Sequence, residues 1–336
     1  MYGLTPEQKK AKKPKPEKRE KRWTKAEQKS VNFASYQTAP ATNEETHFRH
    51  EHWKAARIRI RKIMTQCATT QSRLDAWDNC GSECTVEYCK EREVYRLRAN
   101  YCKNRNCRPC MKAKGNLLAA NLEKKVTDLP GKQFRFITLT LKHCDAPLKD
   151  QLDRLNASFK KLRNHPCWKK TQTGGAAMLE CKFSRDTWEW HPHLHIVAEG
   201  YYLDQKELSD AWYSITKDSF KVDIRVIKSA RDAAFYVAKY VSKGVNDDVW
   251  YDDYIAQEWV CTMKGRRLCA TYGSWRGFKL LAHLPDTDKW TTIATLTTVY
   301  REASRGEHWA IKLIDNLRHS LQYNPHQPRK KIATTI

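Results

Sequence analysis

The sequence predicts an α+β protein, a central antiparallel sheet flanked by helices, with a small cysteine-rich element in front of it. Three observations carry this reading. From residue 132 to 243 the hydrophobic pattern runs strand, helix, strand, strand, helix, strand, helix. Two of those strands, 177–183 and 193–198, are too close in sequence for a crossover and must pair antiparallel. Six cysteines crowd into residues 80–110.

Taken in order, residues 1–43 form a Lys-, Pro- and Glu-rich basic arm without core-forming periodicity. Residues 44–115 form a helical and cysteine-rich region, with a helix expected over 44–66 around His47, Phe48, Trp53, Ile58 and Met64. The main domain is expected over 116–285. KQFRFITLTL alternates and is β-branched, which predicts a strand. Residues 148–163 place Leu148, Leu152, Leu155, Phe159 and Leu162 at helical spacing. AAMLECKFS and HLHIVAEG are strands flanking the turn RDTWEWHP, 205–219 is a helix, and VDIRVI is another strand. Ser229 caps a helix that runs to Lys243 and stops at Gly244. A hairpin is expected around Lys264-Gly265, and 286–336 is a C-terminal extension without a clear pattern.

The 336 residues carry 62 Lys+Arg against 38 Asp+Glu, a net charge of +24. The first thirty residues hold 11 basic and 4 acidic side chains, so the arm accounts for only +7 of it. A surplus spread through the chain points to a polyanion, and nucleic acid is the natural partner. With 12 Trp, 15 Tyr and 9 Phe the chain has ample material for a core, which excludes whole-chain disorder. No run of about 18 apolar residues is present, so no membrane partner is expected. Twelve cysteines behind an N-terminus that lacks an apolar signal segment point to a reducing compartment, and so to metal ligands and buried thiols.

Three clusters carry chemistry. Cys102, Cys107 and Cys110 stand in YCKNRNCRPC, and the Cys107/Cys110 pair has the short knuckle spacing of zinc sites. A fourth thiolate is needed, and Cys80, Cys84 and Cys89 are available; with no His or carboxylate beside them, the expected role is structural. In WHPHLHIV, His193 and His195 share one strand face. A hairpin centred between Thr187 and Trp188 would set Glu180 across from His195 and Lys182 across from His193. Two histidines and Glu180 would then bind a divalent ion, magnesium or manganese engaging a phosphate, with zinc also compatible; His191, on the same face, competes as third ligand. In ARDAAFYVAKYVSK, Ala233, Ala234, Val237, Ala238 and Val241 form an apolar arc, with Tyr236, Tyr240 and Lys243 beside it. Tyrosines at such spacing commonly edge a core. Alternatively a phenol attacks phosphorus, with Lys239 placed to stabilise the charge on the transferred phosphate.

RFITLTLK, HPHLHIV and YVAKYVSK, in this order and behind YCKNRNCRPC, resemble the motifs of rolling-circle replication initiators of the HUH endonuclease family. The resemblance covers roughly residues 80–280. It implies a ferredoxin- or RRM-like sheet as the nicking domain. It implies Cys80 as the fourth zinc ligand, and leaves Cys84 and Cys89 without a role. Many plasmid initiators of this type carry Glu one turn before a single Tyr; here that position is Tyr236, so the pair Tyr236/Tyr240 is similar to the two-tyrosine phage and transposase enzymes.

The resemblance implies a cytoplasmic, prokaryotic plasmid initiator that nicks and rejoins single-stranded origin DNA and also binds the duplex origin. Tyr240 would attack and keep the 5′ phosphate, and Tyr236 would attack the next junction. The free 3′-hydroxyl would prime a host polymerase, with a host helicase opening the duplex. A transposase or mobilisation relaxase shares this chemistry. A non-catalytic, zinc-dependent DNA-binding regulator and a hydrolytic metal phosphoesterase compete with it.

Overall fold

The computed structural model describes His50 and residues 53–243, 245–278 and 289–320. The basic arm and Gly244 lie outside the described residues, as does residues 44–49 of the first expected helix. That helix is α1, Lys54–Gln66, and it buries Arg57, Ile60, Ile63 and Met64. Helix α2, Gln71–Asp78, packs Leu74 and Trp77 inward. The buried Arg57 donates to the Trp77 carbonyl, tying the two helices together. A hairpin follows, β1 Thr85–Cys89 and β2 Val94–Arg98, and then the long helix α3, Arg108–Thr127.

The expected order from 132 onward is present: β3 Phe134–Thr140, α4 Leu148–Leu162, β4 Gln172–Ser184, β5 Glu189–Gly200, α6 Gln205–Thr216, β6 Val222–Ile227 and α7 Ala230–Lys243. A short helix α5, Pro166–Thr171, precedes β4. Helix α6 stops at Thr216 because Lys217 turns left-handed, at φ 71°. Ser229 Oγ accepts from the Asp232 amide at 3.1 Å, as expected of an N-cap.

Lys264-Gly265 does not form the expected hairpin. Asp252 caps α8, Asp253–Thr262, by accepting from the Tyr254 and Ile255 amides, and the helix runs up to this turn. The turn then leads into a single strand, β7 Cys269–Gly273. The strand-like apolar residues before Lys264 are therefore one face of a capped helix.

The main sheet has the order β6-β3-β5-β4-β7 with every neighbouring pair antiparallel. Helices α4 and α6 pack on each other and on this sheet. Their buried Leu148, Leu152, Leu155, Leu208 and Trp212 join one core with Leu194 and Ile196 of β5. Helix α7 covers the other face, the one that carries His193 and His195, and α3 packs along α7. Small buried residues, Gly115, Ala119 and Ala120 on α3 and Ala233 and Ala234 on α7, suit this close helix pairing.

The residues expected only as a C-terminal extension contain β8 Trp290–Thr295, α9 Leu296–Ser304 and α10 His308–Ser320. Strand β8 pairs antiparallel with β1, giving a second sheet β2-β1-β8. Cys84, Val86, Leu296, Val299, Ala310, Leu313 and Leu317 close a second small core over it. No helix among the described residues is long and apolar enough to cross a membrane.

Candidate functional site

The hairpin β4/β5 sets the site. Its register differs from the expected one by two residues: Glu180 pairs with His193, Lys182 with His191 and Met178 with His195. The physical reason is the loop. Ser184 pairs with Glu189, leaving the four residues 185–188 to turn the chain, with Trp188 at φ 59° and its ring on Phe183. A shift of two preserves the face of every side chain, whereas a shift of one would reverse it. Glu180 therefore still reaches His195, diagonally, with Oε2 2.8 Å from Nε2.

Registers on both sides bring further groups to this face. Thr138 lies across from His195 and Thr140 across from His193 on β3; Asp223 and Arg225 lie across from Thr138 and Phe136 on β6. The result is an open cleft of about 380 Å³ lined by these side chains together with Glu180, Lys182 and Tyr240. Thr138 Oγ1 sits 3.2 Å from His195 Nδ1, and Thr140 Oγ1 sits 3.1 Å from His193 Nδ1. Both Nδ1 atoms are thus engaged, which turns the Nε2 edges to the cleft as ligand atoms.

Burial pushes the His193 pKa down to about 4, against the opposing charge of Glu180, so its imidazole is neutral at neutral pH. Burial alone would raise the Glu180 carboxyl, but the His195 hydrogen bond and the Lys182 ammonium outweigh it and hold the group below the ordinary carboxylate value. A neutral imidazole, a second imidazole oriented by Thr138 and an ionised carboxylate are the donor set a divalent cation needs. Their chemistry suits such an ion, although the three do not gather their ligand atoms within 4.8 Å of one another as the four cysteines do.

Helix α7 brings its tyrosines onto this face through Phe136. The Tyr240 ring stacks on His195 with centroids 3.6 Å apart, and Tyr236 stacks on Phe136 at 4.3 Å. Burial, then the negative charge of Glu180, raise the Tyr240 phenol above its usual value, with Arg225 opposing. Arg225 bonds Asp223 through Nε at 2.8 Å, and its own pKa is raised first by a hydrogen bond with Tyr236. Lys239 lies on α7, but its side chain is outside the described residues. Among the described residues, the cations at the cleft are Lys182 and Arg225, which the sequence reading did not single out. The signal for Arg225 was present in VDIRVI, whose alternation puts Asp223 and Arg225 on one face. His191 does not line the cleft; it lies with His143 and Glu189.

The second cluster is Cys80, Cys102, Cys107 and Cys110, whose sulfurs all lie within 4.8 Å of one another. Cys80 is 3.8 Å from Cys107 and 3.6 Å from Cys110, and Cys102 is 3.6 Å from Cys110. A tetrahedral zinc with Zn–S near 2.3 Å requires sulfur–sulfur edges of about 3.8 Å. These edges match that figure and are far longer than a disulfide. The four cysteines can hold a metal ion. Cys84 and Cys89 are buried elsewhere, Cys84 in the second core.

The fold and site thus define an α+β protein with a His-rich strand beneath a tyrosine-bearing helix and a four-cysteine cluster alongside. Residues 94–319, well over half of the chain, match the replication protein family, and the chain belongs to it. It is similar to "Protein rep" of Staphylococcus aureus, with 26% identity over 190 residues that cover 52% of this chain and 83% of the relative. No solved structure matches the chain.

Proposed function

We propose that this replication protein is a plasmid rolling-circle initiator that nicks and rejoins single-stranded origin DNA through a phosphotyrosine. The observation that carries the reading is the stacking of Tyr240 on His195 at the floor of the cleft, beside His193 and Glu180. His193, His195 and Glu180 would hold magnesium or manganese, which when bound polarises the scissile phosphate. Lys182 and Arg225 flank the same cleft and neutralise the incoming phosphate chain. Tyr240 enters protonated, since burial and Glu180 raise its pKa, and gives up its proton as it attacks. A Tyr240 Oη–P bond forms and the P–O3′ bond breaks. The 3′-oxygen leaves as an alkoxide that takes up a proton to become the free 3′-hydroxyl, balancing the proton Tyr240 loses, and the 5′ phosphate stays on Tyr240. The ester energy is conserved, so the reverse attack by a 3′-hydroxyl rejoins the strand.

Tyr236, four residues earlier, is about 6 Å along the axis and faces Arg225. It is the second nucleophile in this reading, attacking a new junction while Tyr240 holds the first end. Zinc on Cys80, Cys102, Cys107 and Cys110 is structural. Host polymerase and helicase act on the exposed 3′ end and the duplex, in the prokaryotic cytoplasm.

Incubation of the protein with a single strand carrying its origin and with manganese tests the reading. A covalent protein–DNA adduct on a denaturing gel, absent in Tyr240→Phe, is expected. Release of both DNA ends without an adduct would instead indicate a hydrolytic phosphoesterase, and binding without cleavage a regulator.

A further inference from the structure

We propose a second divalent metal site, of the zinc type, formed by His143, Glu189 and His191 at the solvent end of the cleft. Glu189, His191, His193 and His195 alternate along β5 and therefore project to one face, a row of four ligand-type side chains of which His195 is buried and the other three half-buried. His195 and His193 belong to the cleft described above. The other two meet His143, which the chain places beside them through the bridge between Cys144 and Trp190.

One nitrogen of each imidazole and one oxygen of Glu189 lie within 4.8 Å of one another. His143 Nδ1 is 2.6 Å from Glu189 Oε2, and the two imidazole rings lie 4.7 Å apart, tilted by 32°. An ion pair between His143 and Glu189 would account for that one contact, but not for a second imidazole brought against it. Nε2 of His191 is buried and has no hydrogen-bond partner among the described residues. A metal ion at this point supplies the missing partner. Two imidazoles and one carboxylate, with room for water, are a donor set for zinc and for neighbouring late first-row dications, in preference to magnesium. None of the three lines the cleft, and their ligand atoms gather together without His193, so this ion is a station separate from one at His193.

Equilibrium dialysis of the full-length chain, isolated with its cysteine cluster filled, against zinc chloride counts the bound ions. His143→Ala and Glu189→Gln are each expected to bind one ion fewer than the unaltered chain, or to need at least tenfold more zinc for it. His193→Ala is expected to keep that ion, and the double variant His143→Ala/His193→Ala to lose two. His143 is half exposed and Glu189 partly so, and neither lines the cleft, so both variants should fold and form the adduct in magnesium. Unchanged zinc number and affinity in His143→Ala and Glu189→Gln would overturn the proposal. So would loss of the same single ion in His143→Ala and His193→Ala, which would mean one shared site. Adduct formation measured in parallel reports separately on the nicking reading.

Discussion

Tyr240 and Tyr236 differ in what their rings touch: Tyr240 lies on His195, whereas Tyr236 lies on Phe136 and reaches Arg225. Tyr240→Phe keeps the stacking and deletes only the oxygen, so the first adduct should vanish on a denaturing gel. Tyr236→Phe should leave that adduct close to unaltered and impair strand closure or a second round; equal behaviour of both variants would remove the distinction. Thr138 and Thr140 act one step further out, by engaging the Nδ1 atoms of the two histidines. Thr138→Val should weaken manganese binding at the cleft by roughly 10- to 100-fold, as loss of an orienting partner does. Its melting temperature should stay near that of the unaltered chain, and raised manganese should restore nicking. His193→Ala should stop nicking while duplex origin affinity, which rests on basic contacts, is retained. The histidines, Glu180 and the tyrosines were legible in the sequence because their chemistry is distinctive and their spacing matches a strand or a helix. Thr138, Asp223 and Arg225 were not singled out, since only the order of strands in the sheet brings them to the same face.

At the scale of elements, the hairpin β4/β5 shows why pairing partners are harder to read than faces. Alternation fixes which side of a strand a residue takes, and both the expected and the observed register put Glu180 among the histidines. The partner, by contrast, depends on loop length and on local packing such as Phe183 against Trp190, at 5.1 Å. The turn at Lys264-Gly265 failed for a related reason: a capped helix and a strand of similar apolar content differ over so few residues. At the other end of β4, the sheet approaches β7 closely. Gly273 has φ 60°, and an added Cβ there would lie 2.2 Å from the Thr173 carbonyl oxygen and 2.7 Å from Gly174 Cα. Gly273→Ala should therefore destabilise the protein by about 1–3 kcal/mol from backbone strain alone, with the backbone contact adding to it. Thermal or denaturant unfolding checks this, and an unchanged midpoint would contradict it.

Across the whole molecule, the cysteine cluster and the tyrosines are linked by one rod. Cys107 is the N-cap of α3 and Cys110 sits in its first turn, while α3 packs along α7, the helix of Tyr236 and Tyr240. Cys107→Ser should thus lose bound zinc, lower the melting temperature, and reduce adduct formation without touching the cleft. Cys84→Ser should keep the zinc and cost only a small-core substitution, since Cys84 packs with Leu296 and Val299. The four-cysteine set was legible from crowding and spacing. The second sheet was not, because β8 finds its partner β1 about two hundred residues earlier in the chain, and no local pattern announces so distant a pairing. That distance has a consequence during synthesis. Until residues 290–295 have emerged from the ribosome, β1 has β2 on one side and nothing on the other, and its second row of backbone amides and carbonyls stands open. A nascent chain halted before β8 would carry that bare edge, together with Val86 stripped of its cover from α9 and α10. Premature termination should therefore yield a protein whose five-stranded sheet is nearly finished but which is prone to stick to its neighbours.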